Sequence, residues 1–165
     1  MRKSLLNKRF RLCLYGFIVV AIMAFIFAMS AMPAKESSHL SGNITSYVIR
    51  MLYPEYSGLT KEEQTGIYSR TEHVIRKCAH FSEYAVLGVF LALFFRELSF
   101  SFNSIAAFLT AALYASSDEW HQSFIDGRGP AFSDVLIDSA GVCFGIVLIV
   151  LFMSSKDRKI QRSSH

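Results

Sequence analysis

The feature that most constrains this chain is a run without any charged side chain, from Leu12 to Met32. A helix rises 1.5 Å per residue, so these 21 residues are enough to cross the roughly 30 Å of hydrocarbon in a bilayer. A cleavable signal peptide is the competing interpretation, because basic residues precede the run and Ala28-Met29-Ser30 resembles a cleavage site. The run is long for a signal peptide, which favours an uncleaved membrane anchor.

Three further apolar blocks follow and predict additional spans. Together with the first, the predicted spans cover residues 12–32, 79–95, 105–119 and 135–153. Only 18% of the residues are charged, against about 25% in an ordinary soluble domain, and 52% are apolar. This composition excludes a soluble globular enzyme and an intrinsically disordered chain. The sequence therefore predicts one all-α domain over residues 1–165, an integral membrane bundle of four transmembrane helices.

The distribution of basic residues predicts the orientation. With four spans, the first eleven residues, the 96–103 link and the C-terminal tail share one side and hold ten Lys and Arg. The remaining seven are spread over two longer segments on the other side. By the positive-inside rule both termini are cytoplasmic, and residues 33–78 and 120–133 lie outside. The net charge of +4 thus reflects topology and does not imply a nucleic-acid partner.

The first outer segment has helical patterning of its own. Apolar residues recur at helical spacing along it: Leu40, Ile44, Tyr47, Val48 and Met51. This pattern predicts a short amphipathic helix over residues 40–52, lying on the outer membrane surface. Thr60 and Glu63 have the spacing of a capping box, so a second helix is predicted to begin at Lys61 and to continue into the second span.

The three cysteines do not form a recognisable disulfide framework. Cys13, Cys78 and Cys143 fall in or beside different spans at different depths. We interpret them as small packing residues.

Ionisable residues within spans cost about 2.5–3.5 kcal/mol each at the bilayer centre, so they require partners or a wet cavity. Here they gather at the outer ends of the last three spans. The candidates for acid–base chemistry are His80, Glu83, Asp118, Glu119 and His121. The candidates for ligand binding are Lys77, Tyr84, Gln122, Arg128, Asp134 and Asp138.

The fourth span carries its aspartates on the same helical face as Gly141 and Gly145. This GxxxG pair predicts that another helix approaches that face closely. The preceding connection is broken by Gly127, Gly129 and Pro130. By count the region holds more carboxylates than cations, so protons, a metal ion or a cationic ligand are expected to complete it.

Each polar residue also has a purely structural interpretation. His80 and Glu83 can hold helices together by hydrogen bonds, and Arg128 can pair with a neighbouring aspartate. Glu119 and Asp126 can be solvated ends of a helix and a loop. The number of ionisable groups at one depth exceeds what these roles need, which favours a functional cavity.

Two segments carry a family resemblance. The VanZ-like membrane proteins are resembled by two segments, RKCAHFSEYAVLG (76–88) and SSDEWHQSFIDGRGPAFSDVLIDSAGVCFG (116–145). The residues that follow the first predicted span also resemble the same part of that family, in the segment FAMSAMPAKESSHLS (27–41). The residues that match the family pattern are Lys77, His80, Tyr84, Asp118, Glu119, His121, Gln122, Arg128 and Asp134. Asp138 stands where many relatives carry Asn. The resemblance implies a bacterial cytoplasmic-membrane protein, from a family with members linked to reduced susceptibility to teicoplanin and related glycopeptides.

Three function hypotheses remain open. The first is a protein that binds or shields a cell-wall precursor, a lipid head group or a glycopeptide at the outer face, in contact with membrane lipid. The second is an outer-leaflet enzyme acting on a lipid-linked or phosphate-bearing substrate, for which the His, Glu and Asp set offers acid–base groups and ligands for a divalent metal. Neither Ser123 nor Ser133 is placed beside a base by the sequence. The third is a proton-coupled carrier, for which four helices charged at one end make a poor path.

Overall fold

A computed structural model describes the backbone of residues 2–129 and 131–163 and the side chains of residues 6–129 and 131–156. Within these ranges the chain is all-helical, with no strand, as predicted. The five helices are α1 (Arg2–Ser30), α2 (Ala34–Leu52), α3 (Lys61–Glu97), α4 (Asn103–Gln122) and α5 (Phe132–Ser163), with a 3₁₀ turn at Tyr56–Gly58. Pro130 and the side chains of Arg2, Lys3, Arg158, Lys159 and Arg162, used in the sequence analysis, lie outside the described residues.

Three stretches are long and apolar enough to cross a membrane: Leu6–Ser30, Lys61–Glu97 and Phe132–Lys156. These confirm a membrane-type helical protein. Helix α4, which holds the third predicted span, is not among them, because its last turns carry the polar run from Ser116 to Gln122. The fourth crossing therefore stays a prediction. The first helix ends at Ser30, two residues before the predicted boundary.

Helix α3 is the centre of the bundle and contacts each of the other four helices. Its N-terminus has the predicted capping box: Glu63 N–H donates to the Thr60 hydroxyl, and the Thr60 N–H donates to Glu63 Oε2 at 2.9 Å. This box fixes the start of the helix at Lys61. From there the helix runs for 37 residues without interruption. At 1.5 Å per residue it is about 55 Å long, well beyond the hydrocarbon thickness.

Helix α2 begins at Ala34, six residues before the predicted start at residue 40. It packs on α3 and buries Thr45 and Ile49. Four residues of the predicted apolar stripe are exposed: Leu40, Ile44, Tyr47 and Met51. The prediction that this helix lies on a membrane surface is not tested by the fold.

Helices α3 and α5 cross at very close range. A Cβ atom added to Gly141 or Gly145 would overlap the backbone carbonyl oxygen of Phe81 or Ala85, and one added to Gly88 would meet Val142 O at 2.6 Å. Helices in lipid associate through such close packing, because the bilayer supplies no hydrophobic drive between them. The GxxxG pair therefore does draw α5 against another helix, and that helix is α3.

The two ends of the bundle differ in chemistry. At one end Arg11 makes a bidentate pair with Glu97, at 2.9 and 3.1 Å, and Lys8 Nζ donates to Ser99 Oγ at 2.8 Å. At the opposite end Ser30 of α1 meets Asp118 of α4. The ionisable residues at the ends of the last three predicted spans thus lie at one end of the bundle, as expected.

The three cysteines are free but exposed on the outside of the bundle, so their interpretation as packing residues is wrong.

We expect Gly145→Ala to lower the free energy of unfolding by about 1–3 kcal/mol, because the new methyl group would overpack the crossing. The matched control is Gly66→Ala, where an added Cβ has no neighbour within 4 Å. That change should be neutral or stabilising, since Ala favours a helix over Gly by about 1 kcal/mol. Thermal unfolding of both variants in detergent tests this, and equal stability would contradict the close crossing.

Candidate functional site

Asp118 is the centre of a buried hydrogen-bond network between α1 and α4. Its Oδ2 accepts from the Ser30 hydroxyl at 2.8 Å and from Gln122 Nε2 at 3.0 Å. Asp118 is only 3% exposed, and these donors lower the cost of burying its carboxylate, although Oδ1 is buried without a hydrogen-bond partner. Asp118 and Gln122 are one helical turn apart, which places both on the face that meets α1.

Arg128 extends this network from the α4–α5 link. Its Nη1 donates to Gln122 Oε1 and its Nη2 to the Met29 carbonyl, both at 3.2 Å, whereas Nε is buried with no hydrogen-bond partner. Burial lowers the pKa of Arg128, and the nearby positive charge of Arg76 lowers that pKa further. The alternative in which Arg128 pairs with an aspartate is wrong, because the described residues contain no such ion pair.

Two side-chain contacts with aspartates join α3 to α5. Lys77 pairs with Asp134, and His80 Nδ1 lies 4.0 Å from Asp138 Oδ1, at the limit of an ion pair. The two contacts are one turn apart and continue the glycine-lined crossing in the same direction. The structure thus brings these four predicted residues together in pairs.

Glu119 has a structural partner. Its Oε1 accepts from the backbone N–H of Ala131, just before α5 begins, and its side chain is buried. The interpretation of Glu119 as a solvated helix end is therefore wrong, whereas Asp126 is exposed as that interpretation expected.

The two remaining ring-bearing candidates face the helix packing. His121 stacks on Phe27 of α1, with ring centroids 4.5 Å apart, and its buried Nδ1 has no hydrogen-bond partner. Tyr84 is fully buried and its hydroxyl also has no partner, although its ring lies 6.2 Å from that of Tyr114. The hydroxyl of Tyr114, by contrast, donates to the Met23 carbonyl at 2.6 Å.

A cavity of about 420 Å³ opens between α2, α3 and the α4–α5 link. Six of the eleven predicted site residues line it: Lys77, His80, Glu83, Gln122, Arg128 and Asp134. Tyr84, Asp118, Glu119, His121 and Asp138 do not line it, so the predicted set divides into a cavity wall and a buried framework behind it.

Two ionisable residues of the cavity wall, His73 and Arg76, were not among the predicted site residues. Helical spacing could have found them, because residues 73, 76, 77 and 80 fall on one side of a helix. The balance of charge in the cavity lining also differs from the excess of carboxylates counted for the whole polar region. The carboxylates Asp118, Glu119 and Asp138 turn into the helix packing, so the cavity itself carries more cationic than acidic groups.

The described side chains give no arrangement that points to a reaction. No three His, Cys, Asp or Glu residues among them are grouped so as to hold a metal ion. The Ser123 hydroxyl donates to the Trp120 carbonyl at 2.6 Å and the Ser133 hydroxyl to Asp134 at 3.1 Å. Neither serine is therefore positioned beside a histidine base.

Tyr84, which is buried, and Tyr114, which is partly buried, allow a matched test of these contacts. We expect Tyr114→Phe to reduce the free energy of unfolding by about 0.5–1.5 kcal/mol, because it removes the hydrogen bond to Met23. Tyr84→Phe should be neutral or stabilising, since the hydroxyl that it removes has no partner. Thermal unfolding in detergent compares the two. A larger loss from Tyr84→Phe than from Tyr114→Phe would contradict this assignment.

Comparison with known proteins identifies the family. A family model described as VanZ/LLP1 matches residues 15–153, which include both polar segments and all eleven predicted site residues. No curated protein and no solved structure gave a match. Because the match covers most of the 165 residues, the chain belongs to the VanZ-like family.

Proposed function

We propose that this chain is a four-pass protein of the bacterial cytoplasmic membrane that binds a component of the cell envelope at its outer face. The observation that carries the proposal is the cavity of about 420 Å³ at the polar end of the bundle. Its volume falls within the range of about 300–1,000 Å³ that is usual for small-molecule sites.

The arrangement of α4 supports four crossings. Its 20 residues span about 30 Å, the thickness of the hydrocarbon layer. The alanine face of this helix, Ala107, Ala111 and Ala115, is fully buried in the bundle. Its ionisable residues are confined to the end where Asp118 and Gln122 join the network with α1. An even number of crossings then leaves both termini on the basic, cytoplasmic side.

The exposed stripe of α2 supports a position of this helix at the outer membrane surface. Leu40, Ile44, Tyr47 and Met51 are each more than half exposed, although they are apolar or amphipathic. Such a stripe is stable when it faces the headgroup and acyl boundary of a bilayer. In that position α2 forms the wall of the cavity nearest the lipid.

The contacts favour binding over turnover. Lys77 is paired with Asp134, Asp118 has two donors, and the hydroxyls of Ser123 and Ser133 donate to Trp120 O and Asp134 rather than to a histidine. The family resemblance extends this to a role: the protein lowers susceptibility to teicoplanin-type lipoglycopeptides by binding or shielding their target.

The topology is tested with single cysteines in a background whose three native cysteines are replaced by Ala. A membrane-impermeant maleimide should label Asp126→Cys in intact cells, because residue 126 is exposed in the outer link. It should label Phe102→Cys, exposed in the opposite link, only after permeabilisation. The reverse pattern, or labelling of both positions in intact cells, would contradict the orientation.

The binding role is tested by blocking the cavity. Ala79 lines the cavity and is exposed, so Ala79→Phe should fill the site without disturbing the fold. We expect cells that carry this variant to bind labelled lipoglycopeptide, and to respond to teicoplanin, like cells without the protein. Ser69→Phe is the matched control, because Ser69 is an exposed residue of α3 outside the cavity. Equal lipoglycopeptide binding with and without the intact protein would overturn the shielding role.

A further inference from the structure

The cavity brings two arginines together from different elements. Arg76 belongs to α3 and Arg128 to the α4–α5 link, and both line the same space. They are close enough for the charge of Arg76 to lower the pKa of Arg128. Two guanidinium groups in one partly buried space repel each other unless an anion lies between them.

No side chain in the described part of the chain bridges the two arginines by an ion pair, and the carboxylates of Asp118 and Glu119, whose charges act on Arg128, lie outside the cavity lining. Neither arginine takes part in an ion pair, and Lys77 already has Asp134. The cavity walls hold three permanent cations, Arg76, Lys77 and Arg128, against the carboxylates of Glu83 and Asp134. The Nε of Arg128 also remains a buried donor without an acceptor. The cavity therefore has both an excess positive charge and an unused hydrogen-bond donor.

Phosphate has the chemistry that these groups would recognise. A guanidinium group donates two parallel hydrogen bonds to phosphate oxygens, and charge-assisted bonds of this kind are about twice as strong as neutral ones. The cavity lies at the end of the bundle that holds the polar network, so its arginines are near the level of lipid head groups if that end reaches the membrane surface.

One side of the cavity wall is apolar and includes residues of the exposed stripe of α2. Leu40 and Ile44 belong to both the stripe and the cavity wall, and Ile75 and Ala79 of α3 add to the apolar lining. A free phosphate ion would use only the arginines. An ester of phosphate with a long hydrocarbon chain would use the arginines and this apolar surface together.

We infer that the cavity binds an anionic lipid through its phosphate group, with Arg76 and Arg128 on the phosphate and the Leu40–Ile44 side of the cavity against the hydrocarbon chain. This inference rests on the proposed function, since it names the chemical class of the envelope component bound at the same site.

The test uses the purified full-length protein in detergent and a fluorescent phosphatidic acid as the probe. Arg76 has no hydrogen bond or ion pair with the described residues, so Arg76→Gln should remove the phosphate contact and leave the fold intact. We expect this variant to bind the probe about tenfold more weakly, the effect of losing one charge-assisted contact. Arg76→Lys should retain part of the affinity. Arg70→Gln is the matched control, because it removes the same charge from an exposed position of α3 outside the cavity.

Competitors separate the sources of phosphate. Unlabelled phosphatidic acid should displace the probe, whereas diacylglycerol of the same chain length and inorganic phosphate at equal concentration should not. Displacement by inorganic phosphate as strong as that by the lipid would overturn the lipid part of the inference. Displacement by diacylglycerol as strong as that by phosphatidic acid would overturn the phosphate part, and so would equal affinity of Arg76→Gln and Arg70→Gln.

The Ala79→Phe variant separates this inference from the proposed function. If it abolishes the effect of the protein on lipoglycopeptide binding while Arg76→Gln changes neither probe nor lipoglycopeptide binding, the envelope role stands and the phosphate inference fails. If Arg76→Gln weakens the probe but the maleimide labels the outer link only after permeabilisation, phosphate recognition stands and the outward-facing function fails.

Discussion

The close crossing of α3 and α5 is the contact on which the rest of the structure depends. Gly141 and Gly145 lie directly against the backbone at Phe81 and Ala85, so the observed register depends on residues without a side chain at these two positions. That register places Lys77 opposite Asp134 and His80 opposite Asp138. In lipid, where apolar side chains gain little by leaving the bilayer, packing of small residues and pairing of polar ones hold helices together. The crossing thus stabilises the bundle at the glycines, and its continuation at Lys77 and Asp134 forms part of the cavity wall.

Local signals in the sequence predicted local structure. The capping box at Thr60 and Glu63, the glycine spacing in α5 and the apolar blocks were all recognised, because a cap or a helical period involves residues within one or two turns. The alternation of spans also predicted that the polar patches share one end. The earlier start of α2 was missed, since its first turns carry polar residues such as Lys35 and Glu36 that hide the period.

The sequence could not predict which polar side chains face the cavity and which turn into the helix packing, because this depends on contacts between distant parts of the chain. Asp118 accepts from a serine 88 positions earlier, and Glu119 accepts from a backbone N–H on the far side of a turn. These donors draw the carboxylates into the packing and leave the arginines facing the cavity. Counting charges along the sequence therefore did not give the balance of charge in the cavity lining, although the count itself was correct. Membership in the VanZ-like family supports the membrane location, and the chemistry of ligand recognition has to be argued from this division of charges.

The unbroken course of α3 has a mechanical consequence. One rod carries both the cavity lining at Arg76 and Lys77 and the crossing at Ala85 and Gly88, with regular hydrogen bonds throughout. Sharp kinks in helices arise at proline, at glycine pairs or at irregular turns, and this stretch has none of them. Any widening of the cavity to admit a bulky guest must therefore come from displacement of α2 or of the α4–α5 link, whose backbones meet where the Ala34 N–H donates to the Asp126 carbonyl at 3.3 Å.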